Sequence, residues 1–243
     1  FQSTVIKANV PVVPPQCRPV AAGTLARIEF LANLVIGVAE FFLRSSNGTG
    51  IEDIAPGLVQ GPVPIGATNA TLDVATRADV QQFGLALVGN LRAIVDVTLL
   101  RAPLPRPQLN FTAGVFANIL NLSALTPPFN VYGGQTQFFL VAESLTSSLI
   151  QNYLAQVIPS IVGIPQLQVT TTLGLIVPLP LGAENRTTTN VIPGDVNSLS
   201  PRRTERETLR IVHGTGNATR PGGIFPSGFN GTLFRLIVIL RLF

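Results

Sequence analysis

The chain has very little of what most catalytic sites require. Its 243 residues include no Met, no Trp, one Cys and one His, and only 12% of them are charged. With His213 as the single candidate base and no Gly-x-Ser-x-Gly sequence, serine-hydrolase chemistry has no support. The di-metal sites of helical bundles use about four carboxylates and two His, and one His cannot supply them. The composition therefore predicts a protein that is not an enzyme and uses no metal or other cofactor.

The scarcity of cysteine, methionine and long apolar runs indicates whether the protein is secreted or inserted in a membrane. Cys17 is the only cysteine, so an intrachain disulfide is excluded, and we expect its thiol to be buried or unpaired rather than bridged to another chain. Because Met is absent, Phe1 is interpreted as the start of a mature chain after signal-peptide removal. No apolar run reaches the roughly 18 residues of a transmembrane helix, so no membrane span is expected.

Arginine carries nearly all of the positive charge. The net charge of +4 comes from fifteen Arg and one Lys, set against twelve acidic residues. The Arg are scattered, and in the densest cluster, residues 202–206, Glu205 separates Arg203 from Arg206. The sequence thus lacks the basic stripe of a nucleic-acid-binding protein. We predict no nucleic-acid partner and interpret the cluster as a solvated loop that leads into a short helix.

Seven Asn-x-Ser/Thr sequons are distributed along the chain. In a protein with so few charges, attached glycans would supply the polar surface that keeps it in solution. The sequence therefore predicts a secreted, N-glycosylated protein located outside the cell or in the cell wall. The seven candidate sites are Asn47, Asn69, Asn110, Asn121, Asn185, Asn217 and Asn230.

The pattern of proline, glycine and apolar residues divides the chain into three parts. Four prolines make residues 1–20 an extended N-terminal arm. Residues 21–165 form a helical domain because their apolar residues recur at helical spacing. Residues 166–243 form a loop-rich C-terminal extension that ends in an apolar strand.

Individual elements follow from the same signals. Asp73 can cap a long helix, and Gly214 can end a short one. The predicted helices span residues 24–43, 73–100, 111–120, 135–157 and 204–213, and strand-like segments span 170–181 and 232–243.

The second long helix carries the most informative stretch of the sequence. Residues 82–94 read Gln-Phe-Gly-Leu-Ala-Leu-Val-Gly-Asn-Leu-Arg-Ala-Ile. This stretch resembles one in the plant desiccation-related proteins, a ferritin-like family, and further similar segments follow in the family's order across residues 28–231. The resemblance implies a mainly α, ferritin-like helical bundle. The other segments are Ala39-Glu40-Phe41-Phe42, Gly61-Pro62-Val63-Pro64-Ile65-Gly66-Ala67, Pro105-Arg106-Pro107, Pro127-Pro128-Phe129-Asn130-Val131-Tyr132, Leu181-Gly182-Ala183-Glu184, Leu209-Arg210-Ile211-Val212-His213-Gly214-Thr215-Gly216 and Pro221-Gly222-Gly223-Ile224-Phe225-Pro226.

The same resemblance identifies the places where metal donors are missing. In the family a Glu stands at the place of Leu87 and a His at the place of Asn90. A Glu-x-x-His pair puts both donors on one face of a helix. The first helix of the family offers carboxylates where this chain has Val35 and Val38. The resemblance therefore implies a degenerate member of the family that has lost its metal site.

Three residues with possible donor atoms remain. Glu40 lies between apolar neighbours and is expected to be a surface or capped residue rather than a ligand. Glu143 is a possible ligand or an ordinary polar residue. His213 is interpreted as a structural residue whose ring is hydrogen-bonded.

The resemblance also implies a gap in the bundle. After Ile164 too few residues precede the strand-like segment for a full fourth helix, and a bundle without one exposes an apolar groove. We expect the terminal strand, residues 233–243, either to fold back or to enter a neighbouring molecule. Its apolar face consists of Phe234, Leu236, Val238, Leu240 and Leu242.

Two functions agree best with these features, and a residual metal-binding role is a third and less favoured interpretation. The favoured one is a non-enzymatic, secreted structural glycoprotein that assembles with itself, as an oligomer or filament, through exchanged terminal strands. The alternative is a soluble extracellular stress- or desiccation-related binding protein that holds an apolar ligand or shields surfaces. Extended apolar segments at both ends favour the first, because a monomeric binder has little use for them.

Overall fold

The described part of the protein is mainly helical. A computed structural model describes residues 22–97, 100–152 and 203–240. Two short strands, β1 (Val59–Gln60) and β2 (Leu104–Pro105), pair in parallel, with Val59 opposite Leu104. The helices are α1 (Ala22–Asn47), α2 (Ile51–Ile54), α3 (Val74–Val97), α4 (Ala113–Ile119), α5 (Gln135–Asn152), α6 (Glu205–Val212) and α7 (Thr232–Leu240).

Helix α1 is the centre of the core. Every residue from 30 to 43 is buried, so the helix presents no solvent-facing side over this stretch. It ends where Gly48 takes a left-handed conformation, with φ of 78°, and donates its N–H to Arg44 O. The first predicted helix is therefore confirmed, and it extends through Asn47.

Helix α3 packs antiparallel to α1. Asp73 caps it as predicted, because Thr76 N donates to Asp73 Oδ1 at 2.7 Å. Arg77, in the first turn, donates to Ser46 O at the end of α1. Further along, Gly84 lies so close to Leu43 that a Cβ on the glycine would come within 2.8 Å of its side chain. The lack of a side chain at residue 84 thus sets the separation of the two helices.

Aromatic side chains fill the space between α1, α4 and α5. The Phe41 ring contacts the rings of Phe111, Phe116 and Phe138 at centroid distances of 5.8, 5.2 and 5.1 Å. Tyr132 joins this cluster and donates its hydroxyl to Phe111 O at 2.6 Å. Such offset and edge-on ring pairs add to the stability that burial alone provides.

The C-terminal residues are tied directly to α1. Asn33 Nδ2 donates to Asn230 O at 2.9 Å, and Asn230 N donates to Asn33 Oδ1 at 2.9 Å. Thr232 N, at the start of α7, donates to Glu29 Oε2 at 3.1 Å. A carboxylate on α1 therefore caps α7.

The terminal segment is a helix over Thr232–Leu240, so the prediction of a strand there was wrong. Leu242 lies outside the described residues. Phe234 is buried and touches Phe229 and His213, whereas Leu236 is exposed and Val238 half-buried. The cap by Glu29 and the burial of Phe234 override the β-propensity of this Ile- and Val-rich run. The alternating apolar face, Phe234, Leu236, Val238, Leu240 and Leu242, is therefore not formed in residues 232–240.

Several predictions concern residues outside the described ranges. They are the N-terminal arm, the missing fourth helix, the strand over 170–181 and the boundary near residue 165. Within residues 22–97, 100–152 and 203–240, no helix combines the length and apolar character needed to cross a membrane.

Candidate functional site

The four positions where the resemblance implies missing metal donors lie on α1 and α3. Val35 and Val38 are buried in the core, each 4% exposed. Leu87 is half-buried and Asn90 is exposed, one turn apart on the partner helix. Apolar packing occupies the α1 positions, and a solvated amide stands at the place of the His.

Glu40 is completely buried rather than at the surface, and its carboxylate is capped by arginine side chains, the second of the two expected alternatives. Its carboxylate accepts hydrogen bonds from Arg44 Nε at 2.7 Å and from Arg106 Nη1. Glu52 of α2 receives the same two guanidinium groups, with Arg106 Nη1 at 2.6 Å from Glu52 Oε2. Arg106 also donates to Gly61 O at 2.8 Å. These four side chains form the ion-pair network (Glu40, Arg44, Glu52 and Arg106).

Two members of the ion-pair network, Arg44 and Glu52, remain charged although burial opposes their ionisation. Burial lowers the pKa of Arg44, but the charges and hydrogen bonds of Glu40 and Glu52 outweigh it and raise that pKa. Burial raises the pKa of Glu52, yet hydrogen bonds from its own backbone, Arg106 and Arg44 bring it below its ordinary value. Both carboxylates are therefore engaged by guanidinium groups, which leaves Glu40 unsuited to bind a cation.

His213 is buried, and its ring lacks the hydrogen bonds that were predicted for it. Among the described residues, neither ring nitrogen has a partner of normal geometry. The ring stands edge-on to Phe229 and Phe234, at centroid distances of 6.3 and 5.9 Å. Burial lowers its pKa to about 4, and the nearby backbone of Asn217 and Arg220 opposes this only in part. His213 is therefore neutral at ordinary pH.

Glu143 and Arg203 form a looser pair of charges between α5 and the segment before α6. Reduced hydration raises the pKa of the Glu143 carboxyl, while Arg203 counteracts the shift. Arg203 is 1% exposed, and burial lowers its pKa against the attraction of Glu207 and Glu143. The interpretation of residues 202–206 as a solvated loop was therefore wrong for Arg203, which is part of the core.

These donors do not fit a di-metal centre. In the described ranges, no three His, Cys, Asp or Glu side chains come together in a way that could hold a metal ion. Glu40 is engaged by two arginines, and His213 lies in an aromatic pocket on the C-terminal side of α6. The chemistry of the side chains, with Val, Val, Leu and Asn at the four implied positions, disagrees with metal binding there.

The sequons differ in their surroundings. Asn47, Asn69, Asn121 and Asn217 are exposed. Asn110 and Asn230 are half-buried, and the Asn230 Nδ2 atom donates to Pro105 O at 3.0 Å. Asn185 lies outside the described residues. The atom that would carry a glycan is thus engaged at Asn230.

Two known proteins are similar in sequence to this chain. It is similar to the ferritin-like catalase Nec2 of Nesocodon mauritianus, with 32% identity across 93% of this chain and 92% of that protein. The chain belongs to the ferritin-like, desiccation-related protein family. It is also similar to the desiccation-related protein PCC13-62 of Craterostigma plantagineum, with 27% identity across 89% of this chain and 86% of that protein. No family model and no solved structure matches.

Membership in this ferritin-like family confirms the resemblance and the fold class. In the structure, α1 and α3 are the antiparallel helix pair on which the four implied donor positions lie. On the α1 side of this pair, the implied positions Val35 and Val38 are part of the apolar core.

Sequence reasoning missed the role of Arg106. The segment Pro105-Arg106-Pro107 contributed to the resemblance, but nothing local marks Arg106 as the partner of Glu40, 66 residues away. A weak signal existed: Glu40 stands in a long apolar run, and a buried carboxylate requires a cation or several donors. Arg44, one helical turn later, supplies the first of these.

Proposed function

We propose that this chain is a secreted, non-enzymatic structural glycoprotein built on a metal-free ferritin-like core. The observation that carries the proposal is the burial of Val35 and Val38 where carboxylates would stand. The ion-pair network supports it, because Glu40, the carboxylate nearest to those positions along α1, is bound by two arginines. The ferritin-like helices then serve as a scaffold.

The name of the relative Nec2 raises catalase activity as a second candidate. Peroxide disproportionation in a ferritin-like protein requires a redox metal, and the described residues offer no matching donor set. We therefore infer that the activity in that relative's name does not extend to this chain.

Metal analysis combined with a peroxide assay tests the proposal. The purified protein is incubated with Fe²⁺ or Mn²⁺, desalted and analysed for metal content and oxygen release from hydrogen peroxide, with Nec2 as positive control. We expect much less than one ion per chain and no oxygen release above buffer. About two ions per chain together with peroxide turnover would overturn the proposal.

The glycoprotein part of the proposal has its own measurement. Peptide mapping after enzymatic deglycosylation reports which Asn residues carried a glycan. We expect occupancy at the exposed sites Asn47, Asn69 and Asn121, and none at Asn230, whose Nδ2 is held by Pro105 O. A fully glycosylated Asn230, or a chain without glycans, would contradict it.

Self-association is proposed through apolar side chains on α7 rather than through strand exchange. Ile239 is 74% exposed and Leu236 is 45% exposed, on the face opposite buried Phe234. Sedimentation velocity over a range of concentrations tests this with Ile239→Glu and a matched control, Leu125→Glu, at another exposed leucine (51%). We expect only Ile239→Glu to shift the protein toward monomer. A wild-type protein that stays monomeric at high concentration would refute it.

A further inference from the structure

An open cavity with arginine walls lies between α6 and the loop that follows it. It has a volume of about 820 Å³ and is lined by Arg206 and Arg210 of α6 and by loop residues 216–221, which include Arg220. We call it the arginine basin. Arg206 and Arg210 stand one helical turn apart on α6, and Arg220 faces them from the loop. A cavity of this size is in the range that accommodates a ligand larger than a single small ion.

The described residues that line the arginine basin carry positive charge only. None of the described residues that line it is acidic. The two carboxylates of α6 are engaged elsewhere: Glu205 pairs with Arg27 at 3.4 Å, and Glu207 accepts from Thr204 N at 2.7 Å. Within the described residues, Arg210 and Arg220 form no ion pair, and both are exposed.

The loop that closes the arginine basin is held in one shape by its own hydrogen bonds. Thr219 N and Thr219 Oγ1 donate to Asn217 Oδ1, each at 2.9 Å. Thr215 Oγ1 donates to the carbonyl oxygens of residues 217 and 220, each at 3.1 Å. These contacts fix the loop backbone that carries Arg220 opposite α6, so the walls exist before any ligand binds and ordering them costs little free energy on binding.

We propose that the arginine basin binds the carboxylate groups of an acidic polysaccharide. Guanidinium groups recognise carboxylates through paired, charge-assisted hydrogen bonds, and Arg210 and Arg220, on the two walls of the basin, can each engage an acidic group. Asn217 and Thr219 add amide and hydroxyl groups that suit sugar hydroxyls. The inference deepens the proposed structural role and rests on it for the kind of ligand.

The binding test uses two variants with equal charge loss. Arg210→Gln/Arg220→Gln removes two basin arginines, and Arg92→Gln/Arg235→Gln removes two exposed arginines on α3 and α7. Each protein is produced in a host that adds no N-glycans, so that Asn217, which lines the basin, remains an unmodified amide. Affinity for polygalacturonate is measured at 0.15 M salt, a concentration roughly sufficient to screen non-specific attraction, with neutral dextran as the control polymer.

The two variants distinguish binding at the arginine basin from attraction to the overall positive charge of the protein. We expect the basin variant to bind polygalacturonate about tenfold more weakly per arginine removed, the control variant to bind like wild type, and dextran not to bind. Equal losses in both variants, or no wild-type binding, would overturn the inference. Inorganic phosphate that binds as tightly as the polymer would overturn the polysaccharide assignment. None of these outcomes depends on metal content, so the proposed scaffold function stands or falls separately.

Discussion

Arg106 and Arg210 carry the same side chain in opposite surroundings. Arg106 is 6% exposed and shared between Glu40 and Glu52, whereas Arg210 is exposed on the wall of the arginine basin. Burial of a charge is tolerated only with partners, because removing it from water costs several kcal/mol. An exposed guanidinium has no such requirement and remains available to a ligand. The two regions therefore divide the arginines into those that hold the fold and those that can bind.

The largest effect is expected from breaking the ion-pair network. Arg106→Met keeps the side-chain volume but leaves Glu40 buried with Arg44 alone, and we expect a loss of roughly 3–5 kcal/mol in the free energy of unfolding. The matched control Arg210→Met should change it by less than about 0.5 kcal/mol. Urea unfolding monitored by circular dichroism measures both. Equal losses would remove the distinction between the two regions.

An intermediate effect is expected from His213, a buried group that has no acidic partner among the described residues. Its folded pKa is about 4, below the ordinary value of 6.5, so the unfolded state takes up the proton first. The stability associated with the neutral ring is complete above about pH 6.5 and falls as the pH decreases toward 4, by up to about 3 kcal/mol.

His213→Leu isolates this contribution because it removes the titrating ring while keeping a buried apolar side chain. The difference in unfolding free energy between wild type and variant should shift in favour of the variant between pH 7 and pH 4. A difference that stays constant over this interval would show that the ring does not titrate as a buried group.

The smallest effect is expected for the ion pair Arg27–Glu205. Its exposure to solvent is intermediate between that of Arg106 and that of Arg210. Its Nε–Oε1 distance is 3.4 Å, and the side chains are 31% and 14% exposed. A double-mutant cycle with Arg27→Ala and Glu205→Ala should give a coupling energy of about 0.2–1 kcal/mol. A value close to that of the buried network would mean that exposure does not govern the strength of these pairs.

The sequence predicts the local features of this fold better than its long-range ones. The helices around residues 24–43, 73–100, 111–120 and 204–213 follow from apolar spacing and from caps such as Asp73, and the structure contains them. The terminal helix was mistaken for a strand because the cap that Glu29 provides is 203 residues away. The local spacing of apolar residues carries no information about a contact between residues so far apart in the sequence.

In the candidate site too, local features were easier to interpret from the sequence than long-range contacts. The interpretation of Leu87 and Asn90 as replaced donors came from one local stretch, residues 82–94, and it stays a prediction. The engagement of Glu40 could not be inferred, because Arg106 comes from a different part of the chain. The arginine basin was also missed, since its walls combine α6 with a loop whose shape depends on Thr215 and Asn217.

The bonds that join Asn33 to Asn230 have a consequence for the order of folding. They connect residues 197 positions apart, and the helix they anchor, α1, is buried on all sides over residues 30–43. A helix without a solvated face is an aggregation hazard until its neighbours arrive, and contacts of such long sequence separation form slowly. On the ribosome, α1 is therefore synthesised long before Asn230, and α3 is the first long helix that can cover its apolar surface.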